Sequence, residues 1–78
     1  MVWLDFDNRS LVGSAGSLEV LDGDEITRKL AMLIEGDCEG LGPAQAAKKY
    51  QFSRQRYFQL RTAFREQGAL ALLSQKRL

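Results

Sequence analysis

The sequence predicts a small, mainly α-helical domain, with three helices, a short fourth helix behind them and a different kind of structure at the N-terminus. Apolar residues recur at helical spacing in residues 26–34 and again in residues 57–64. The glycines of the second half and the one proline stand outside both stretches, where helices begin and end. Residues 1–21 alternate instead, so we divide the chain into an N-terminal segment, 1–21, and a helical domain, 22–78.

Length and composition exclude several classes of protein. A chain of 78 residues is one domain, and a domain of this size buries only about 60% of the surface that its unfolded chain exposes. The chain is 45% apolar and 27% charged, and no stretch approaches the roughly 20 apolar residues of a membrane span. The first residues also lack the pattern of a secretory signal. We therefore expect a cytoplasmic protein with no membrane contact.

Charge is divided unevenly along the chain, although the net charge is only +1. Residues 1–41 contain three basic and nine acidic residues, whereas residues 42–78 contain eight basic residues and one acidic residue. The two parts thus carry net charges of −6 and +7. This division is expected of a protein that binds nucleic acid through its basic half. The alternative is that the basic side chains solvate a helix surface and pair with the acidic half.

The N-terminal segment is predicted to form either a β-hairpin or a flexible arm. Apolar side chains alternate along residues 2–6, which indicates a strand, and residues 18–21 are a candidate partner beyond a flexible connection at residues 13–17. An isolated hairpin is marginal in water unless it packs on something, so a disordered arm is equally consistent with the sequence. If the segment is ordered, Trp3 or Phe6 is expected to dock on the helices.

The first helix is predicted to run from about residue 25 to residue 35. Asp22 or Asp24 would cap its N-terminus, where a carboxylate oxygen can accept a free backbone N–H, and Gly36 would end it. Its apolar residues form one stripe, typical of the first, supporting helix of a three-helix unit. The stripe consists of Ile26, Leu30, Leu33 and Ile34.

Two further helices joined by a tight turn are predicted between residues 42 and 65. Pro43 suits the first turn of a helix, where its missing N–H costs nothing, and the small Ala46 and Ala47 allow a neighbour to approach closely. Ser53 is a good cap for the second of these helices. On that helix the residues at i, i+3 and i+7 are apolar or aromatic and should point inward. They are Tyr57, Leu60 and Phe64.

These two helices and their turn contain a motif of six residues. It has a small residue in the first helix, an apolar residue and a serine in the turn, and three residues of the second helix: Ala47, Phe52, Ser53, Arg54, Tyr57 and Leu60. This motif resembles the helix-turn-helix domain of bacterial transposases and related regulators, over roughly residues 25–77. The resemblance implies a homeodomain-like three-helix unit that binds double-stranded DNA. Gln51 stands where that family usually has glycine, so the turn is expected to be either strained or wider.

The second helix of the motif carries the candidate DNA contacts. In helix-turn-helix complexes this helix enters the major groove, where arginine bonds guanine and glutamine bonds adenine, so Arg54 and Gln55 are the first candidates for reading bases. Gln59 and Thr62 follow on the same side, and Phe58 would either touch a thymine methyl group or be covered by the protein. The cap serine and the other basic residues are predicted to contact phosphates: Lys48, Lys49, Ser53, Arg56, Arg61, Arg65, Lys76 and Arg77.

The C-terminal part is predicted to be a short helix followed by a linker. Gly68 would end the long helix, and the apolar residues 69–73 would fold back on the core. The basic residues that follow show no pattern that would end the domain. We therefore expect the chain to be a domain of a longer protein, and that parent protein could form a homodimer. If the parent is a transposase, its catalytic core would lie beyond Leu78.

No catalytic site, cofactor or metal is predicted. The chain has no histidine, and its one cysteine, Cys38, therefore lacks the usual partners for zinc or for thiol catalysis. Two pairs of aspartates lie in short segments without the further oxygen ligands that magnesium requires. The main alternative to DNA binding is a small protein-interaction module or regulator subunit. Its basic face would bind an acidic partner, or exposed Phe58, Leu72 and Leu73 would form an oligomer.

Overall fold

A computed structural model describes residues 1–73, in which a three-stranded antiparallel sheet precedes three α-helices and a 3₁₀ helix. The strands are β1 (Trp3–Asp5), β2 (Ser10–Gly13) and β3 (Gly16–Glu19), and the helices are α1 (Glu25–Asp37), α2 (Pro43–Lys49), α3 (Arg54–Gln67) and the 3₁₀ helix Gly68–Leu72. Just over half of the described residues are helical. The expectation of a mainly α-helical domain is therefore met only in part.

The N-terminal segment is a sheet with one more strand than the hairpin that the sequence predicts. The strands follow one another as a meander, and the register places Leu4 opposite Leu11 and Leu11 opposite Leu18. The predicted flexible connection at residues 13–17 is instead a tight turn with a strand on either side. The expected pairing of residues 2–6 with residues 18–21 is wrong, because β2 lies between β1 and β3 and pairs with both, a choice set by contacts across the sheet and not by local propensity.

The sheet packs on α1 mainly through a buried leucine, and its aromatic residues meet the helices at the edge of this contact. Leu4 is only 5% exposed and belongs to the core, whereas Leu18, at the far end of the same cross-strand row, is 71% exposed. The predicted docking residues Trp3 and Phe6 remain 39% and 43% exposed. Phe6 still contacts the helices, since its ring meets the Tyr50 ring edge-on at a centroid distance of 5.1 Å.

Helix α1 begins as predicted and continues two residues further. Asp24 caps it, with Oδ2 accepting from the Thr27 hydroxyl at 2.6 Å and Oδ1 from the Thr27 backbone N–H at 3.1 Å. These bonds to Thr27 hold the pKa of the Asp24 carboxyl below its ordinary value. The prediction that Gly36 ends the helix is wrong, because α1 runs through it to Asp37. Gly36 instead makes room for α3: a Cβ atom at this position would overlap the hydroxyl end of the Tyr57 side chain.

The turn between α2 and α3 is tight and uses a strained residue. Gln51 has φ +66°, the left-handed conformation that glycine adopts freely, so of the two expectations for this position the strained turn is confirmed. The backbone N–H of Phe52 donates to the carbonyl of Ala47 at 2.8 Å, which closes the turn. Ser53 then caps α3 as predicted, its Oγ accepting from the backbone N–H of Arg56 at 3.0 Å.

The inner face of α3 and the 3₁₀ helix complete the core. Tyr57 and Leu60 are fully buried, as predicted, and Phe64 is partly buried beside them. Gly68, with φ +77°, ends α3, and the following 3₁₀ helix folds back so that Leu72 is fully buried. Among residues 1–73, none of the helices combines the length and the apolar character needed to cross a membrane.

Candidate nucleic-acid interface

Helix α3 carries two stripes of side chains next to its buried face, one on the side away from the core and one along its flank, where Phe58 packs against the core. The first, which we call the outer stripe, follows the i, i+4, i+7 and i+11 positions from the leading turn and is polar. The second, the flanking stripe, has the same spacing and is basic with one aromatic residue. The outer stripe consists of Gln55, Gln59, Thr62 and Glu66, and the flanking stripe of Arg54, Phe58, Arg61 and Arg65.

All four predicted base-reading residues are exposed on one unbroken helix. Gln55, Gln59 and Thr62 line a shallow groove along the outer stripe, and Arg54 stands at its leading end on the flanking stripe. The helix continues for 14 residues without interruption, so the spacing between these side chains is fixed by its geometry. The structure therefore brings the three amide and hydroxyl side chains together and sets the arginine beside them.

One of the two glutamines has its carbonyl oxygen engaged within the helix. The Nη1 atom of Arg56 donates to Oε1 of Gln59 at 3.3 Å. The carbonyl oxygen of a glutamine has two lone pairs and its NH₂ group has two donors, so this bond occupies part of the acceptor, whereas both N–H donors make no hydrogen bond within residues 1–73. Gln59 is thereby presented as a hydrogen-bond donor.

Phe58 is partly buried within the flanking stripe. Its ring meets the Tyr57 ring edge-on at a centroid distance of 5.5 Å, and the guanidinium carbons of Arg54 and Arg61 lie 5.5 and 6.0 Å from its centroid. The same side chain also lines the groove of the outer stripe. Phe58 therefore has one side against its own helix neighbours and another on the surface that carries Gln55 and Gln59.

The predicted phosphate contacts fall into three groups. Lys48, Ser53, Arg56 and Arg65 are exposed. Lys49 and Arg61 instead lie against acidic residues of α1. The last two, Lys76 and Arg77, lie outside the described residues.

Lys49 points back toward the N-terminal sheet. Its ammonium lies 2.6 Å from Oε1 of Glu35 and within 6 Å of the ring centroids of Trp3, Phe6 and Tyr50. A cation held by a carboxylate and three aromatic rings has little to gain from a phosphate, because its charge is already compensated. Lys49 thus contributes to the fold of the motif.

Glu35 is a buried carboxylate that joins three parts of the molecule. It is 4% exposed and accepts hydrogen bonds from the Leu4 backbone N–H at 3.1 Å, from Nζ of Lys49 and from the hydroxyl of Tyr50. Burial, reinforced by the bond to Glu35 and by its charge, raises the pKa of Tyr50 far above its ordinary value. Through these bonds Glu35 holds β1 and the end of α2 against α1.

Asp37 makes the corresponding contacts with α3. Its Oδ1 accepts from the hydroxyl of Tyr57 at 2.5 Å, and its Oδ2 lies 2.7 Å from Nε of Arg61 as an ion pair whose N–H is not aligned for a hydrogen bond. Burial is the main reason that the pKa of Tyr57 is raised far above its ordinary value, and the bond to Asp37 adds to it. Asp37 thus fixes where α3 lies against α1.

Sequence reasoning did not identify these two carboxylates, although one signal points to them. Glu35 and Asp37 both stand in the last turn of α1, which contains no basic residue. Acidic side chains are unfavourable at the negative end of a helix dipole, so their presence there indicates partners elsewhere in the fold.

The alternative oligomer surface is only partly present. Leu72, one of its three predicted residues, is completely buried, while Leu73 is 49% exposed and Phe58 is partly buried. The neighbouring Leu70 is 74% exposed. Within residues 1–73, no three acidic or cysteine side chains converge so that they could hold a metal ion.

Comparison with known proteins yields no relative. No protein-family model matches this chain, and neither a characterised protein nor a solved structure shows significant similarity to it. Its function must therefore be inferred from the geometry of its own residues.

Proposed function

We propose that this chain is a DNA-binding domain that places α3 in the major groove of a duplex, in a homeodomain-like helix-turn-helix arrangement. The observation that carries the proposal is the outer stripe of α3, where Gln55, Gln59 and Thr62 are exposed on one rigid helix beside Arg54. Amide, hydroxyl and guanidinium groups are those that read base edges in the major groove. Helix α2 would then cross the phosphate backbone.

The charge on this side of the molecule supports the same function. Exposed cations that are available for phosphate contact stand on α2 and α3, and the acidic residues are concentrated in the first half of the chain. Each phosphate that is neutralised contributes about 0.9 to the slope of log affinity against log salt concentration. Three such contacts would give a slope of roughly −2.7. The three cations are Lys48, Arg56 and Arg65.

We further propose that the domain belongs to a longer cytoplasmic protein, a transposase or a transcription regulator, that binds DNA as a homodimer or with a second domain. The support is the motif of α2 and α3, which resembles the helix-turn-helix domains of such proteins, and the small area that one such unit offers to DNA. A single unit is therefore expected to bind weakly on its own.

The proposal is tested by titrating the chain into labelled duplex DNA of random sequence and recording fluorescence anisotropy at several salt concentrations. We expect weak binding that falls steeply as salt rises, and backbone NMR shifts concentrated in residues 53–62. A flat response to salt, or shifts confined to the sheet, would contradict DNA binding through α3.

Substitution of the leading arginine tests the assignment of the base-reading side. Arg54→Ala is expected to weaken binding to a selected site by about 1 to 3 kcal/mol and to relax the preference at one base pair. The matched control is Arg9→Asn, which removes one positive charge from the β1–β2 turn. Asparagine tolerates the φ of +50° at this position, so the turn should be retained. An equal loss from both variants on every sequence would show that Arg54 contributes only charge.

A second candidate function, a protein-interaction module, is favoured by the N-terminal sheet. β3 is an edge strand whose four residues are all exposed, and it carries the exposed Leu18. Exposed edges of this kind can pair with a strand of another chain. Titration with random duplex DNA distinguishes the two functions, because a module that pairs only through β3 would leave the NMR signals of residues 53–62 unchanged.

A further inference from the structure

The groove of the outer stripe contains an apolar side chain that the hydrogen-bonding contacts do not explain. Phe58 lines this groove, and the other lining residues are Gln55, Gln59, Thr62, Ala63 and, at the far end of the helix, Glu66. Resting on the proposed function, we propose that Phe58 reads the C5-methyl group of a pyrimidine in the major groove, and that Gln59 makes thymine the preferred base.

The occupant follows from the chemistry of DNA. Base edges in the major groove present hydrogen-bond donors and acceptors and a single kind of apolar group, the methyl group on C5 of thymine or of 5-methylcytosine. Against any other base edge, the ring would cover a hydrogen-bond donor or acceptor and leave that polar group without water or a partner, which costs free energy. The ring of Phe58 therefore matches a 5-methylpyrimidine.

The ring is also held in place before DNA arrives. Tyr57 meets it edge-on, and the guanidinium groups of Arg54 and Arg61 lie within about 6 Å of its centroid. Arg61 is itself fixed by its ion pair with Asp37. Because its neighbours already order the ring, little side-chain entropy remains to be lost when it contacts a methyl group.

Gln59 distinguishes between the two methylated bases. Its carbonyl oxygen accepts from Arg56, and its NH₂ group, on a side chain that lines the groove, makes no hydrogen bond within residues 1–73 and is free to donate to a base. Next to the methyl group, thymine presents the O4 acceptor, whereas cytosine presents an N4 donor. A donor on Gln59 can bond the O4 atom of thymine, whereas it would face the N4 donor of 5-methylcytosine without forming a bond. Thymine is therefore preferred over 5-methylcytosine.

The test begins with a site selected by the wild-type chain from random duplexes. Each thymine of that site is then replaced singly by deoxyuridine, which removes only the methyl group. We expect one position at which affinity falls about fourfold, the value of one buried methyl group. In Phe58→Ala the same replacement should have no effect. The matched control, Phe64→Leu, changes a partly buried aromatic residue of α3 that is not in the groove and should retain the fourfold loss.

A second arm tests the choice between thymine and 5-methylcytosine. At the sensitive position, the wild-type chain should prefer a thymine–adenine pair over a 5-methylcytosine–guanine pair, and Gln59→Glu, which presents only acceptors, should reverse that order. Thermal unfolding verifies that each variant is folded. If Phe58→Ala does not fold, Phe58→Leu takes its place, and a reduced effect of deoxyuridine is then expected.

The results separate this inference from the function on which it rests. If a site is selected but no thymine is sensitive to loss of its methyl group, or if the sensitivity persists in folded Phe58→Ala, the inference is wrong and DNA binding stands. If no sequence is enriched and random duplexes do not bind, the proposed function itself is wrong.

Discussion

Glu35 and Asp37 stand two residues apart at the end of α1, and each contacts one tyrosine hydroxyl and one basic side chain. The partners are different residues, and the two sets of contacts join different parts of the fold. Glu35 is buried and bonds β1 and the end of α2. Asp37 is more exposed and bonds α3 alone, through Tyr57 and Arg61. One carboxylate therefore holds the scaffold together, and the other sets the position of the helix that would meet DNA.

The difference in burial determines what each contact contributes. A buried charge is tolerated only when its partners are all present, and removing one of them leaves the others unsatisfied in an environment without water. A half-exposed ion pair contributes little because solvent screens it. We therefore expect substitutions at Glu35 to change stability and substitutions at Asp37 to change mainly the proposed interaction with DNA.

The largest effect is expected from Glu35→Ala. It leaves the Tyr50 hydroxyl, the Leu4 N–H and the Lys49 ammonium without their acceptor, and should lower the free energy of unfolding by about 3 kcal/mol or more. Urea unfolding followed by circular dichroism measures the change. Glu19→Gln, at an exposed position of β3, is the control. A loss below about 1 kcal/mol would show that the Glu35 contacts do not hold the scaffold.

The next effect is expected at the glycine between the two acids. Gly36→Ala places a methyl group against the Tyr57 side chain and should destabilise the fold by about 1 to 3 kcal/mol, even though alanine is the better helix former. Gly16→Ala is the control, since a Cβ atom there meets nothing within 4 Å. If unfolding experiments show Gly36→Ala to be as stable as the wild type, α3 does not lie so close to α1.

Asp37→Asn should have a smaller effect on stability than the two substitutions above, and it should strengthen the electrostatic part of DNA binding. The amide oxygen can still accept from Tyr57, so a loss of about 0.5 to 1 kcal/mol is expected. The variant removes the negative charge beside Arg61, which then becomes available to a phosphate. In the anisotropy titration, the salt slope should become steeper by about 0.9. An unchanged slope would mean that Arg61 does not reach the duplex.

The last prediction concerns ionisation of the two tyrosines, the only ones in the chain, which has the smallest effect on stability at neutral pH. Burial and the bonds to Glu35 and Asp37 raise the pKa of both Tyr50 and Tyr57. The neutral hydroxyls therefore stabilise the fold fully below the unfolded-state pKa of about 10, and this contribution declines as pH rises above that value. Tyrosinate absorbance should appear only when the protein unfolds in alkali. Ordinary titration of either tyrosine near pH 10 in the folded protein would contradict the two networks.

Features set by neighbouring residues could be predicted from the sequence. The caps at Asp24 and Ser53, the start of α2 at Pro43 and the inward face of α3 all follow from side chains within one or two turns of each other. The strained turn at Gln51 was one of two expected outcomes. Most of the candidate DNA-facing residues are exposed for the same local reason, because helical periodicity opposes them to Tyr57 and Leu60.

What the sequence could not predict depends on residues that are far apart in the chain. Glu35 bonds Leu4, which is 31 positions away, and Tyr57 bonds Asp37 across 20 positions. Strand β2 likewise depends on two partners that no local pattern specifies. Without those contacts, Lys49 and Arg61 look like free cations, since nothing in their immediate neighbourhood shows that acidic residues of α1 lie beside them.

The close approach of Gly36 and Tyr57 also constrains how this protein can evolve. As long as position 57 carries an aromatic side chain, position 36 has room for a hydrogen atom only. The two positions should therefore covary among homologues, with a shorter side chain at 57 accompanying any larger one at 36. Covariation of this pair would mark distant descendants whose surface residues had diverged beyond recognition.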